Sequence, residues 1–214
     1  MGLALCAGLL VALFILDAIS YAYRRIGIGQ TAMFSLLWLS LLGGFVNIPL
    51  ARLRGRQTTE VTEITVFGVR YRVPVVHREP GTILAVNLGG AVIPTGLSLY
   101  LLVNDRVWSQ AAVAVAFVAV LVHALARPVR GLGIAVPALA PPLLAAGAGI
   151  LLSTHAPAAV AYISGTLGTL IGADLLNLGR LRELGAGVAS IGGAGTFDGV
   201  FLSGIIAVLL VAVR

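Results

Sequence analysis

Apolar runs of about 20 residues, set off by short polar breaks, dominate the chain, and that is the length an α-helix needs to cross the roughly 30 Å hydrocarbon layer of a bilayer. Seven such runs stand out, at 2–22, 31–50, 82–103, 110–127, 131–153, 157–179 and 185–213. They predict an all-α membrane protein of about seven transmembrane helices, a single polytopic domain over 1–214. The fifth and seventh runs carry Pro and Gly clusters, so broken or re-entrant helices are expected there.

The long polar connection, residues 51–81, has a different period. Val69, Tyr71, Val73 and Val75 alternate with Arg70, Arg72 and Pro74, and strand formers are dense from Val61 to Phe67. With Gly68 as the turn residue, this pattern predicts a small β-hairpin inserted between the second and third spans. Pro74 cannot donate a ladder hydrogen bond, which makes its strand an edge. A short echo links Val46-Asn47-Ile48-Pro49 to Val86-Asn87-Leu88 and Pro94, and chance accounts for it at this stage.

Composition agrees with the pattern. Of 214 residues 59% are hydrophobic and 10% charged, against about a quarter charged in soluble domains, which excludes an ordinary water-soluble globule. All 14 basic residues are Arg, and they cluster at the ends of apolar runs rather than along a stripe with aromatics, so nucleic acid is not an expected partner. Cys6 is the only cysteine, which excludes an internal disulfide. No positive segment precedes the first run, so it reads as a retained helix rather than a cleaved signal. If every run crosses, ten Arg fall on the side of the N-terminus and four on the other. The positive-inside rule then puts the N-terminus and the hairpin in the cytoplasm.

The residues a bilayer should exclude carry the chemical information, because an ionisable side chain at the centre of a spanning helix costs at least about 2.5–3.5 kcal/mol. Asp17, Asp174 and Asp198 qualify. Asp17 precedes Arg24 and Arg25 by about two turns, and pairing with Arg is its expected role. Asp174 follows Gly165, Gly168 and Gly172, a face almost bare of side chains against which a neighbouring backbone can pack. Asp198 follows the run Gly192-Gly193-Ala194-Gly195-Thr196-Phe197. So many glycines predict an unwound segment over 185–197, with regular helix beginning near Asp198.

The short turn between the last two runs makes them antiparallel neighbours, and two acids at one depth would share a proton, one acting as base while the other stays neutral. The bland alternative is that each Asp caps or braces a broken helix. Pro137, Pro141 and Pro142 predict a helix break beside a site. His123 and His155 read as interfacial, and Asn47, Asn87 and Asn177 as amides joining helices. No Walker loop, dinucleotide fingerprint or zinc spacing is present, so no cofactor and no metal is expected.

The stretches VNLGGAVIP, ARPVRGLGIAVPALAPP, GTLGTLIGADLLNL and ASIGGAGTFDGVFLSG resemble a family of prokaryotic polytopic membrane proteins of unknown function, which implies a prokaryotic inner (plasma) membrane. A more limited likeness is to the GxGD-type intramembrane aspartyl proteases, the presenilin and signal-peptide-peptidase group. Asp174 and Asp198 resemble their acid pair, and Pro137, Ala138 and Leu139 their Pro-Ala-Leu motif. In this chain Gly-Thr-Phe precedes Asp198, no Tyr precedes Asp174, and Pro-Ala-Leu comes before both acids. What the resemblance implies is a hydrolase that cuts membrane-embedded peptides, with Asp174 and Asp198 catalytic and Pro137, Ala138, Leu139, Gly195 and Gly199 against the substrate. The hairpin would hold extended substrate by strand addition. A proton- or ion-coupled transporter or channel using the same acids, and a noncatalytic scaffold in the bilayer, are the alternatives.

Overall fold

The computed structural model describes residues 2–53, 57–66, 69–78, 81–129, 133–183, 188–193 and 197–212, with side-chain surroundings for these except 2–6, 53–78, 133, 181–183, 197 and 198. Among the described residues seven α-helices follow in chain order: α1 Gly2–Arg25, α2 Gln30–Gly43, α3 Ile93–Asn104, α4 Trp108–Leu125, α5 Ala140–Leu152, α6 Pro157–Thr169 and α7 Phe197–Ala212. Of the described helical stretches, three are long and apolar enough to cross a membrane: Ala7–Arg25, Trp108–Leu125 and Pro157–Arg180. The other helices are apolar and shorter. Outward faces carry large apolar side chains, with Phe14 75% exposed, Trp38 59% and Val120 64%. Water would not favour such a surface, whereas lipid does.

The centre of the bundle is α6, whose residues are almost all buried and which packs on α3, α4, α5 and α7. The glycines of α6 and of the turn that continues it make this possible, though they serve two neighbours rather than one bare face. A Cβ at Gly165 would lie 2.9 Å from the Ser203 carbonyl oxygen of α7, whereas at Gly168 and Gly172 it would strike Val118 and the Ala119 carbonyl of α4 at 2.7 and 2.5 Å. Close approach of backbones replaces bulky side-chain packing here, as is common where small residues line helix contacts in lipid.

The expectation of an all-α chain is corrected by the ends of the apolar runs, several of which turn into strands. Strand β1 (Asn47–Leu53) occupies the end of the second run and β4 (Thr82–Asn87) the start of the third. They pair antiparallel, and β4 pairs parallel with β7 (Val188–Ile191), giving a three-stranded sheet of order β1-β4-β7. The echo between the two Val-Asn segments marks partners in this sheet, since Asn47 lies opposite Asn87. Between β1 and β4, strands β2 (Gln57–Val66) and β3 (Val69–Arg78) form the antiparallel hairpin expected from alternation; its turn residue Gly68 lies outside the described residues.

The proline-rich segment does not break a helix. β5 (Arg127–Val129) and β6 (Gly133–Ala135) form a second hairpin, and α5 then begins with Pro141 and Pro142 in its first turn. Proline suits that position because first-turn N–H groups have no intrahelical partner. The seventh run behaves as its glycines predict, with β7 and a turn preceding a helix that starts at Phe197.

Connections at the two ends of the bundle differ. The α1–α2, α3–α4 and α5–α6 turns are short, and Arg25, Asp105 and His155 from these three turns border one cavity. The strands, the second hairpin and both irregular helical turns described below gather at the opposite end.

Candidate active site between the sheet and the ends of α6 and α7

The site is built from two π-turns. In the first, Leu88–Val92, five residues bridge β4 to α3. Asn87 holds its start: the side-chain oxygen accepts the Gly90 N–H at 2.8 Å, while Nδ2 donates to the Gly44 carbonyl at 2.8 Å and to Asn47 Oδ1 at 3.1 Å. Ser190 of β7 also donates to Asn47 Oδ1, so one amide pair ties together α2, both flanking strands and the π-turn.

The second π-turn, Leu170–Asp174, continues α6 and passes into a 3-10 segment, Leu175–Glu183. A wide turn followed by a tight one leaves carbonyls off the regular ladder. Asn177, fully buried, donates Nδ2 to two of them, Gly172 O at 2.9 Å and Ala173 O at 3.0 Å, and its Oδ1 accepts from Arg180 at 3.1 Å. Its bonds therefore lie within its own segment, and the expectation that it joins helices is corrected.

Asp174 closes this turn and is 5% exposed. Its Oδ2 accepts the backbone N–H of Gly192 at 2.7 Å. Gly192 is at φ +64, and a Cβ there would lie 2.7 Å from the Gly90 carbonyl carbon and from the Ala91 nitrogen. Only glycine meets both demands, a left-handed backbone and contact with another backbone. The Asp174 carboxylate is thereby set against the link between β7 and α7, with Ala91, Leu170, Ile191 and Val200 packed as an apolar cluster alongside.

A second feature adjoins it. Pro137, Ala138 and Pro141 on one side face Thr169 and Ala173 of α6 and its π-turn and Gly199 and Ser203 of α7, around a cavity of about 50 Å³. Ala173 immediately precedes Asp174, and Gly199 immediately follows Asp198, so the chain at both acids borders the same small space. Asp198 lies in the first turn of α7, its side chain outside the described residues, as is Gly195. Leu139 is 64% exposed and stands apart from the cavity wall.

Away from this end, Asp17 meets Arg24 at 3.9 Å, both exposed, as its spacing suggested. His155 Nε2 lies 3.4 Å from the Asp105 carbonyl oxygen, and His123 is partly buried in the last turn of α4. Among the described residues no cluster of His, Cys, Asp or Glu could hold a metal ion.

Sequence reasoning missed Gly192, Asn87's capping role and the small residues Ala173, Thr169 and Ser203. Two signals were present: the Gly-Gly pair Gly89-Gly90, one residue beyond β4, and the pair Gly192-Gly193, directly after β7.

The model of a family described as a protein of unknown function (DUF1614) matches residues 41–210. No curated protein and no solved structure matches the chain.

Proposed function

We propose, for a chain that belongs to the DUF1614 family, that it is an aspartyl hydrolase of membrane-embedded peptides with Asp174 and Asp198 as its acid pair. The observation that carries this reading is the shared cavity: Ala173 and Gly199, each the immediate neighbour of one acid, line it together with Pro137 and Ala138. A buried carboxylate at a π-turn adds support, since such turns recur at functional sites and ionisable groups in apolar surroundings are costly to keep without a use.

In this mechanism one carboxylate takes a proton from water as the water oxygen attacks the peptide carbonyl carbon. The other, protonated, gives its proton to the carbonyl oxygen. The tetrahedral gem-diol then collapses with cleavage of the C–N bond: the nitrogen leaves with the proton first taken by the base, and the second carboxylate recovers its proton from a gem-diol hydroxyl as the new carboxyl C=O forms. The Gly192 N–H, donating to Asp174 Oδ2, holds that carboxylate in place through the cycle.

The setting proposed with it is a prokaryotic inner membrane with seven crossings, the site and the β2–β3 hairpin on the cytoplasmic side. Ten of the fourteen Arg belong to connections at the site end, which supports that orientation by the positive-inside rule.

The test is purified full-length protein in liposomes with a mixed library of transmembrane peptides, products read by mass spectrometry. Cleavage abolished by Asp174→Asn and by Asp198→Asn, each alone, supports the dyad. A second reading, an ion- or proton-coupled transporter, draws on the two π-turns around a buried acid, since irregular helices expose backbone carbonyls to ions. It is favoured if no peptide is cut and Asp174→Asn instead abolishes proton or sodium flux into the same liposomes.

A further inference from the structure

We infer that α1 is a docking helix for another membrane-spanning polypeptide, with Asp17 as the point of recognition: the partner is a transmembrane helix that carries one Lys or Arg near the middle of the bilayer. α1 serves this role whether or not Asp174 and Asp198 are catalytic.

The span Ala7–Arg25 is the least embedded of the three that are long enough to cross. Only 11% of its apolar stretch is buried, against 28% for Trp108–Leu125 and 78% for Pro157–Arg180. From Ala7 to Asp17 every residue is exposed, about three turns of helix with no face turned to the bundle. Packing begins beyond Asp17, where Ala22, Tyr23 and Ile26 are buried and Ile19 lies against the core. Apolar exposure by itself calls for nothing more than lipid. A carboxylate in the same surface calls for a partner.

Asp17 lies eight residues before Arg25, about 12 Å along the helix, and Arg24 and Arg25 close the span at its aqueous end. Its side chain is 82% exposed, so at that depth it looks into hydrocarbon, whereas ionisable groups in membranes face a protein interior or pair with one another. Among the described residues its one partner is Arg24 at 3.9 Å, beyond hydrogen-bond reach, and the carboxylate accepts no hydrogen bond. Arg24, two turns nearer the water and itself exposed, can extend to the headgroups instead. An ionised carboxylate only accepts. What completes it is a donor, and away from water a cationic donor makes the strongest bond.

Charge also decides whose helix this is. The chain has no Lys, and no Arg lies within an apolar run except Arg127 at the last position of the fourth. A second copy therefore brings no cation to the middle of the membrane, and a parallel pair of α1 helices sets two Asp17 carboxylates at one depth, where like charges repel. The occupant is a different polypeptide. Leu13, Phe14 and Tyr21 stand at i−4, i−3 and i+4 from Asp17, the spacing of one helix face, and all three are exposed. The partner helix thus gains apolar contact on both sides of the ion pair.

The test places full-length protein in phosphatidylcholine liposomes with a synthetic Leu-Ala helix of about 23 residues, long enough to span, flanked by Tyr and carrying a dansyl group and a single Lys at its centre. Binding is read by energy transfer to the dansyl from Trp38 and Trp108, the two tryptophans of the chain. Wild type should bind the Lys peptide about tenfold or more tighter than the same peptide with Leu at the centre, or with the Lys moved to its end. Asp17→Ala should erase that preference, whereas Arg24→Ala and Asp174→Asn should keep it. Circular dichroism and melting temperature matching wild type certify the fold of each variant. Equal binding of the Lys and Leu peptides overturns the inference, as does a Lys preference that survives Asp17→Ala. Self-association that depends on Asp17 and excludes the peptide makes the occupant a second copy and overturns it as well. Loss of the preference in Arg24→Ala does the same, because the intact ion pair rather than an available carboxylate is then what the peptide recognises.

Discussion

The two π-turns, Leu88–Val92 and Leu170–Asp174, are built alike and loaded differently. Each is rich in small residues, each has an Asn side chain answering backbone groups that an α-helix would have paired, and both turns contact Gly192. Asn87 stands before its turn and accepts an N–H; Asn177 stands after its turn and donates to carbonyls. The first turn contains no ionisable residue, and the amide network around it closes on Asn47 and Ser190. The second ends on a buried carboxylate. Irregular backbone in an apolar chain is thus closed by amides in one place and carries a buried carboxylate in the other, which the proposed hydrolase puts to use. What distinguishes them is the charge, not the geometry.

That contrast can be broken by substitution, and the largest effect is expected at the charge. Asp174→Asn keeps the shape and an acceptor for the Gly192 N–H, so the fold should persist while peptide cleavage falls by about a thousandfold or more; product yield by mass spectrometry beside a circular dichroism spectrum checks both halves. Gly192→Ala should damage both turns together, because a methyl at φ +64 meets Gly90 and Ala91. A stability loss of about 3 kcal/mol is expected, read from unfolding in detergent.

Smaller effects separate the turns. Asn87→Ala leaves the Gly90 N–H and the Gly44 carbonyl without their side-chain partner and should cost about 2 kcal/mol, with cleavage per folded molecule unchanged. Asn177→Ala should cost a similar amount or less and in addition lower turnover, since it loosens the wall at Ala173 beside the acid; the ratio of activity to stability loss across the pair is the measurement. The smallest effect belongs to Asp17→Ala. Its contact with Arg24 is solvent-exposed or at the surface of the bundle, and the melting temperature should stay at the wild-type value.

Much of the helical layer was legible from periodicity and length. α1 and α4 lie within the first and fourth apolar runs nearly residue for residue, α6 with its irregular extension fills the sixth, and α7 starts where the glycine run ends. The hairpin from Gln57 to Arg78 followed from alternation. The second and third runs misled because an apolar stretch of six or seven residues suits a strand as well as a helix. Ile83, Leu84 and Val86 in β4 and Ile48 and Leu50 in β1 look no different from helix material until a partner strand is present. Pro141 and Pro142 misled for a related reason: proline ends one helix and opens another, and only the neighbouring residues decide which.

Of the candidate site, the acids and the Pro-Ala pair were visible because bilayers penalise charge and because proline marks irregular backbone. Gly192, Thr169 and Ser203 were not, since a glycine's positive φ and a hydroxyl's bond to its own helix leave no trace in composition.

By itself the amino-acid order determined that this is an apolar, mostly helical chain suited to lipid, with one acid inside each of its last two runs. Only the tertiary structure decided that β1, β4 and β7 form one sheet, that both π-turns meet at Gly192, and that the neighbours of the two acids line a common cavity. The division has a simple cause. Transfer from water to hydrocarbon is a property of each segment alone and is written locally, whereas strand pairing, backbone-to-glycine contacts and cavities arise only when residues distant in sequence, such as Asn47 with Asn87 or Asp174 with Gly192, are brought together.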